Sequence, residues 1–351
     1  MRWAECWRSQ RGRNVRRLVM ETRWTTSNHS RTAVIAVGGN ALAPSGEAST
    51  VYDQFRHTRE SLAPIVELAL AGWNVCIVHG NGPQVGDELV RNEAARRESS
   101  PLPLGVLVAA TAGWIGYMIQ QSLENALRRA KNPRNVATVI TQVEVDPADP
   151  ALRHPTKFIG RPLSLERARE LRSDGHAVAA DGHGKLRRVV GSPAPLRIRE
   201  LPVIRTLVEA GVLVIACGGG GAPVYEHPIL GWEGIDAVVD KDLAAAVLAR
   251  DLSAEMLLIL TDVDAVYANW GTPHQRALRE LTVDEAVQMD QEGAFGEGSM
   301  APKIRASIDF VRRTGGRAII TSLSHGQDAV YGKAGTTIMG STSTTATAEI
   351  A

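Results

Sequence analysis

Three apolar runs in this chain stop at glycine-rich turns, and that arrangement restricts the fold more than any other feature. Ala33-Val34-Ile35-Ala36-Val37 runs into Gly38-Gly39-Asn40, Val75-Cys76-Ile77-Val78 into His79-Gly80-Asn81-Gly82-Pro83, and Val212-Leu213-Val214-Ile215-Ala216 into Cys217 and Gly218 to Gly221. Short continuous apolar runs read as strands buried on both faces, the condition of a parallel sheet covered by helices. Glycine at a strand end lets successive N–H groups turn toward one point, and a following helix N-terminus adds its dipole, so each turn is a candidate cradle for an anion. Glycine also ends strands in α/β proteins that bind nothing there. Three such turns in one chain weigh toward a phosphate-handling enzyme.

The segments between the turns alternate in period. Residues 51–71 have helical spacing, with Leu62, Ile65, Val66, Leu68, Ala69 and Leu70 apolar and Gly72 as the stop, and residues 84–97 and 106–130 are further helices. Gly113 and Gly116 in the last of these read as close helix packing in preference to a ligand contact. Residues 136–145 are expected to form one strand. Residues 146–200, rich in Pro, Arg and His, break the rhythm; they carry a short helical pattern at 165–172 and a strand at 187–190, and read as an excursion that forms a lid. From Pro202 the alternation returns: a helix to 210, a helix at 241–250, a strand at 256–260, a helix at 299–313, a strand at 317–320, a short helix and a strand at 336–339. This order predicts a mostly parallel sheet covered by helices.

A formal net charge of +1 leaves no electrostatic footprint for nucleic acid or an anionic membrane, and no run is apolar enough for a membrane span. Cys6, Cys76 and Cys217 are odd in number and widely spaced, which suits small buried hydrophobes in a reduced cytosol and neither a disulfide framework nor a zinc site. Residues 1–31 are Arg-rich with no apolar segment after the charges, so a secretory signal is not expected. They read as a disordered arm, or as a misread extension ahead of a start at Met20. The Ser- and Thr-rich tail, 340–351, reads as disordered too.

Moving a phosphoryl group requires charge neutralisation from its sides, so fixed lysines are the residues to seek. Lys241 in Asp240-Lys241-Asp242-Leu243 and Lys303 in Gly298-Ser299-Met300-Ala301-Pro302-Lys303 both fall near helix N-termini, where a lysine opposes the macrodipole unless an anion is present. The alternative for each is a lysine on a solvated face. Asp242 is placed to orient both ammonium groups. Asp262 and Asp264 follow a buried strand directly, which suits ribose or metal contacts, although such turns are common. The Gly-x-x-x-x-Gly-Lys-Ser/Thr loop, the protein-kinase signatures and the dinucleotide fingerprint are all missing. His79 lacks a serine or cysteine partner and reads as structural.

Together these residues resemble one family. Ala36-Val37-Gly38-Gly39-Asn40-Ala41-Leu42, His79-Gly80-Asn81-Gly82-Pro83-Gln84-Val85-Gly86, Pro155-Thr156-Lys157, Ala216-Cys217 with Gly218 to Gly221, Asp240-Lys241-Asp242-Leu243-Ala244-Ala245, Leu260-Thr261-Asp262-Val263-Asp264-Ala265-Val266-Tyr267 and Gly298-Ser299-Met300 with Pro302-Lys303 resemble the carbamate kinase branch of the amino acid kinase family, in order, from about residue 33 to 338. The resemblance implies a three-layer α/β/α sandwich over 32–339 with a protruding lid subdomain at about 146–200, and a cytoplasmic homodimer. It implies reversible phosphoryl transfer between ATP, carried with Mg2+, and carbamate, giving carbamoyl phosphate and ADP. The use it implies is making ATP in arginine- or citrulline-type catabolism. By the same resemblance Gly38, Gly39 and Asn40 line the transferred group, and Gly80, Asn81 and Gly82 the carbamate side. Gly219 and Gly220 form the floor between substrate and nucleotide. Lys157 reaches in from the lid, Lys241 and Lys303 flank the phosphates with Asp242 between them, and Asp262, Tyr267, Ser299 and Met300 lie near the nucleotide, with no protein-held metal. The chain departs from the family where Asp is usual at Gly105, Gln at Ala112, Pro at Phe158 and Gly-Arg-Gly-Trp-Arg-Arg across 182–188. These departures bear on substrate identity, and leave open a kinase of another small carboxylate or a non-catalytic regulatory relative.

Overall fold

The computed structural model describes residues 31–39, 42, 50–182, 184–296 and 300–341. All but the innermost one or two residues of the arm and tail expected at the termini lie outside the described residues, as do Asn40 and Ser299. At the centre is an eight-stranded sheet in the spatial order Glu280–Thr282, Thr336–Met339, Arg317–Ser322, Met256–Thr261, Thr32–Val37, Asn74–His79, Leu213–Ile215, Val136–Thr138. Every neighbouring pair is parallel except Arg317–Ser322 with Thr336–Met339.

Strand residues alternate between the two faces, and the first strand shows what each face meets. Val34 and Ala36 join a core supplied by the helices Leu201–Glu209, Lys241–Asp251, Val283–Gln291 and Met300–Thr314; Ala33, Ile35 and Val37 join a second core supplied by Ala63–Leu70, Leu104–Arg129 and Gly326–Val330. Burial on both faces is why the strand sequences are continuously apolar, and the result is the expected three-layer α/β/α sandwich.

Two expected elements divide. The helix read over 51–71 is two helices, Val51–Glu60 and Ala63–Leu70. Ser61 closes the first by directing both its N–H (3.0 Å) and its hydroxyl (2.7 Å) to His57 O, and Pro64, which has no N–H to give, sits in the first turn of the second. The strand read over 136–145 is also two. Val136–Thr138 closes one edge of the main sheet, and Gln142–Val145 leaves it for a four-stranded sheet with Pro195–Ile198, Ala222–His227 and Gly231–Gly234. Thr141 makes that exit: its hydroxyl donates to Val139 O (2.8 Å) and accepts the Cys217 N–H (2.9 Å).

Within the 146–200 excursion, Lys157–Ile159, Val178–Ala180 and Leu186–Val190 form a small antiparallel sheet with the helix Leu165–Ser173 beside it. This protruding unit rests on the helix Gly82–Ala94 through Val85, Leu89 and Ile159. A Cβ at Gly86 would lie 2.0 Å from Gly160 Cα, so the approach is backbone to backbone.

The long helix Leu104–Arg129 packs on the edge strand in the same manner. A Cβ on Gly116 would lie 2.3 Å from Thr138 Cγ2, whose side chain is tied by its hydroxyl to Gln120 Oε1 at 3.0 Å, whereas one on Gly113 would meet Ile140 Cδ1 at an ordinary 3.5 Å. Gly113→Ala should therefore stabilise the fold by up to about 1 kcal/mol through helix propensity, while Gly116→Ala should destabilise it, its overpacking of roughly 1–3 kcal/mol exceeding that gain. Urea midpoints moving in opposite directions with unchanged slopes would bear this out.

Candidate active site

The glycine turns meet at one edge of the sheet because they follow the C-terminal ends of parallel strands. A Cβ at Gly80 would lie 2.8 Å from Gly39 N and 3.2 Å from Lys241 Cδ, so the first two turns touch each other and the lysine. The third turn is built by close approach. Gly219 (φ +67°) would place a Cβ 2.2 Å from Asn81 Nδ2, and Gly220 (φ +89°) one 2.1 Å from Val239 O. Asn81 is held there, its Nδ2 donating to Thr111 Oγ1 at 2.9 Å.

Opposite the glycines two helices present their N-termini. Asp240 caps the helix Lys241–Asp251, its Oδ1 accepting the N–H groups of Asp242 (2.8 Å) and Leu243 (3.3 Å). Asp242, with its side chain only 3% exposed, receives Lys241 Nζ on Oδ1 at 2.5 Å and Lys303 Nζ on Oδ2 at 3.1 Å, the second lysine coming from the start of Met300–Thr314. Lys157 Nζ reaches from the protruding sheet to Asp240 Oδ2.

Burial opposes the charges of Asp240, Lys241, Asp242 and Lys303, and mutual attraction outweighs it at all but Lys241. The Asp240 carboxyl would rise with burial, yet Lys157 and Lys241 hold it well below the ordinary carboxylate range; Asp242 is likewise held down by Lys241 and Lys303. Burial depresses the Lys241 ammonium in spite of Asp242, whereas at Lys303 the attraction of Asp242 and Asp240 outweighs burial and raises it.

The cleft so formed measures about 250 Å³ and is lined by Gly38, Gly39, Gly80, Asn81, Gly82 and Gly219 together with Lys157, Lys241, Asp242, Asp262 and Lys303. Three further sequence candidates stand outside that lining. Gly220 is buried against Val239, Met300 packs on the helical core, and Tyr267 donates its hydroxyl to Asp264 Oδ1 (2.7 Å) with its ring against Trp270. Two charged lining residues were not among the candidates. Asp240 is legible in retrospect as an acid at a helix N-cap. Arg187, whose Nη2 donates to Gly160 O at 2.7 Å and whose guanidinium lies 5.7 Å from the Phe158 ring centroid, belongs to the 182–188 segment that departs from the family, and so brings that departure to the cleft. Of the departures at single positions, Phe158 lines the cleft; Gly105 faces Ile235 O, and Ala112 packs on Gly218. Among the described residues no group of three His, Cys, Asp or Glu side chains is arranged to hold a metal ion.

The sequence pattern of the amino acid kinase family matches residues 31–322. The chain is 47% identical over 309 residues to a carbamate kinase of Halobacterium salinarum, covering 87% of this chain and 97% of that one. It is 43% identical over 310 residues to a carbamate kinase of Pyrococcus horikoshii, covering 87% and 98%. Among solved structures, a carbamate kinase from Giardia lamblia bound to AMP-PNP superposes with a TM-score of 0.82 at 40% identity, covering 89% of this chain and 99% of the other.

His79 is wholly buried behind the glycine turns, its Nδ1 3.0 Å from Gly80 O, and burial pushes its pKa down to about 4. An unfolded chain takes up this proton near pH 6.5 and the folded one near 4. The stabilisation is therefore complete above the higher value and lost as pH falls toward the lower, by about 3 kcal/mol in all. Asp240 and Asp242, held below 3.8, lose their contribution only at still lower pH. Urea unfolding of His79→Gln between pH 7 and 4.5 should lack this slope; an unchanged slope would show that the imidazole is not its source.

Proposed function

We propose that this chain, which belongs to the amino acid kinase family, is a carbamate kinase: it transfers a phosphoryl group reversibly between MgATP and carbamate, giving carbamoyl phosphate and ADP. The observation that carries the reading is the grip of buried Asp242 on Lys241 and Lys303 across a glycine-walled cleft, with Lys157 entering from the other side. A phosphoryl group in transfer spreads charge over its equatorial oxygens, and three ammonium groups converging from different elements suit that charge.

Carbamate already carries the anionic oxygen that attacks, so no general base is needed. That accords with a site whose neighbouring histidine is buried in the wall with a lowered pKa. Gly38 and Gly39 are assigned to the transferred group, Gly80, Asn81 and Gly82 to the carbamate side, and Asp262 to the nucleotide side. Asn40 and Ser299 keep the roles that their motif implies. Gly220, outside the lining, is assigned to shaping the third turn, and Tyr267 and Met300 to the border of the nucleotide region beyond the cleft. Mg2+ is assigned to the nucleotide as part of the substrate, held chiefly by phosphate oxygens, since Asp240 and Asp242 are engaged with lysines.

ATP synthesis from carbamoyl phosphate in catabolism of a carbamoylated compound such as citrulline is the use we assign, in the cytoplasm and as a homodimer. No described helix is long and apolar enough to cross a membrane. Phe158 in the cleft favours a second reading, a kinase of another small carboxylate.

ATP formation from ADP, followed by luciferase, separates the two: carbamoyl phosphate should be preferred over acetyl phosphate by roughly 10²-fold in kcat/KM, and the reverse preference would favour the second reading. Lys241→Ala should lower kcat by roughly 10²–10³-fold with the melting transition retained, because a charge aimed at the transferred group is lost. Unchanged turnover would remove the mechanism.

A further inference from the structure

One carboxylate joins the protruding sheet to the helix that carries Lys241 and Asp242. Asp240 spends Oδ1 on the helix cap and Oδ2 on Lys157 Nζ. Its side chain is 10% exposed against 36% for Lys157, so the acid is fixed in the wall and the lysine projects into the cleft. The protruding unit is tied elsewhere to the helix Gly82–Ala94, by Arg161 to Asp87 and by Arg167 and Arg188 to Glu93, and Gly191 O accepts the Val238 N–H. Among its ion pairs, the one through Lys157 ends inside the cleft.

Lys157, Arg187, Lys241 and Lys303 share that lining with Asp240, Asp242 and Asp262, so the cations exceed the acids by one among these residues. Asp242 divides its oxygens between two lysines, whereas Asp240 faces Lys157 with one oxygen only. A phosphoryl anion entering the cleft must compete with Asp240 for that ammonium. We propose that Asp240 is a positioning residue acting through Lys157: it holds the ammonium, and with it the protruding sheet, over the cleft, and competes with the phosphoryl anion for it. The lysine is then placed before the anion arrives, and anion affinity is kept low enough for product to leave. This inference rests on the phosphotransferase reading of the cleft.

Asp240→Asn and Asp240→Ser both keep an acceptor for the helix cap and remove the charge. Each should lower the KM for carbamoyl phosphate several-fold and lower kcat, with a cooperative melting transition retained at a reduced temperature. Lys157→Met should raise that KM, and adding Asp240→Asn to Lys157→Met should lower it much less than Asp240→Asn does alone. A KM that rises in the Asp240 variants, or falls equally with and without Lys157, would overturn the proposal. Amide hydrogen exchange across residues 157–190 gives a readout that needs no turnover: it should quicken in Asp240→Asn, and unchanged exchange would overturn the latch. Failure of the unaltered protein to make ATP from ADP and carbamoyl phosphate would instead overturn the phosphotransferase reading, leaving the exchange result to decide the latch alone.

Discussion

The site depends on one buried carboxylate that holds two ammonium groups from two helices. Asp242 binds Lys241, its own neighbour in sequence, and Lys303, 61 positions further on, and all three side chains are largely removed from water. Such a cluster contributes little to stability, since desolvating three charges consumes most of what their attraction returns. Its product is geometry. Two lysines stand at helix N-termini, where the dipole disfavours them, and share the carboxylate of Asp242 while Asp240 attracts both from the cap. With Lys157 and Arg187 also in the lining the cations outnumber the acids, which suits an entering anion such as a phosphoryl group.

The sheet explains why this happens at one edge. The strands Thr32–Val37, Asn74–His79, Leu213–Ile215 and Met256–Thr261 are parallel and adjacent, so the chain following each of them emerges on the same side. Three of those exits are the glycine turns and the fourth leads to Asp262. Parallel sheets form their crevices outside the carboxyl ends of the strands, and here the glycines let the turns approach within contact distance of one another while leaving room above.

Legibility in the sequence followed physical range. The interior strands of the main sheet were legible because burial on both faces imposes a continuous apolar run, whereas the edge strand Glu280–Thr282 and most strands of the smaller sheets carry no such run; the helix starts near Lys241 and Lys303 were legible because caps and charges are local signals. The split at Ser61 was not legible because the apolar residues that set the period all lie beyond it, while the first helix buries the polar Gln54 and Thr58, although Pro64 marked the place. The exit at Thr141 was hidden because alternation reads the same in either sheet. Val283–Gln291 escaped because two of its nine residues, Val283 and Ala286, are buried, too few to show a period. In the site, the pairing of Lys157 with Asp240 spans 83 positions, and no local pattern encodes it. The same holds for Gly220, whose need for glycine comes from Val239 O on a distant segment.

The three single-position departures from the family pattern differ in how they reach the cleft. Gly105 and Ala112 lie on the long helix behind the turns, one against Ile235 O and the other against Gly218, so their influence on a ligand passes through backbone packing. Phe158 differs, because it follows Lys157 on the same strand and lines the cleft itself with Arg187 nearby. Proline at that position would remove an N–H and present a compact ring, whereas phenylalanine presents a broad apolar face beside the ammonium. An apolar face there lowers the local dielectric around Lys157 and strengthens its attraction to any anion, the Asp240 carboxylate with which it pairs included. Phe158, one of the departures from the family pattern, is thus adjacent on its strand to the lysine that pairs with Asp240, so a change at either position acts on the same wall.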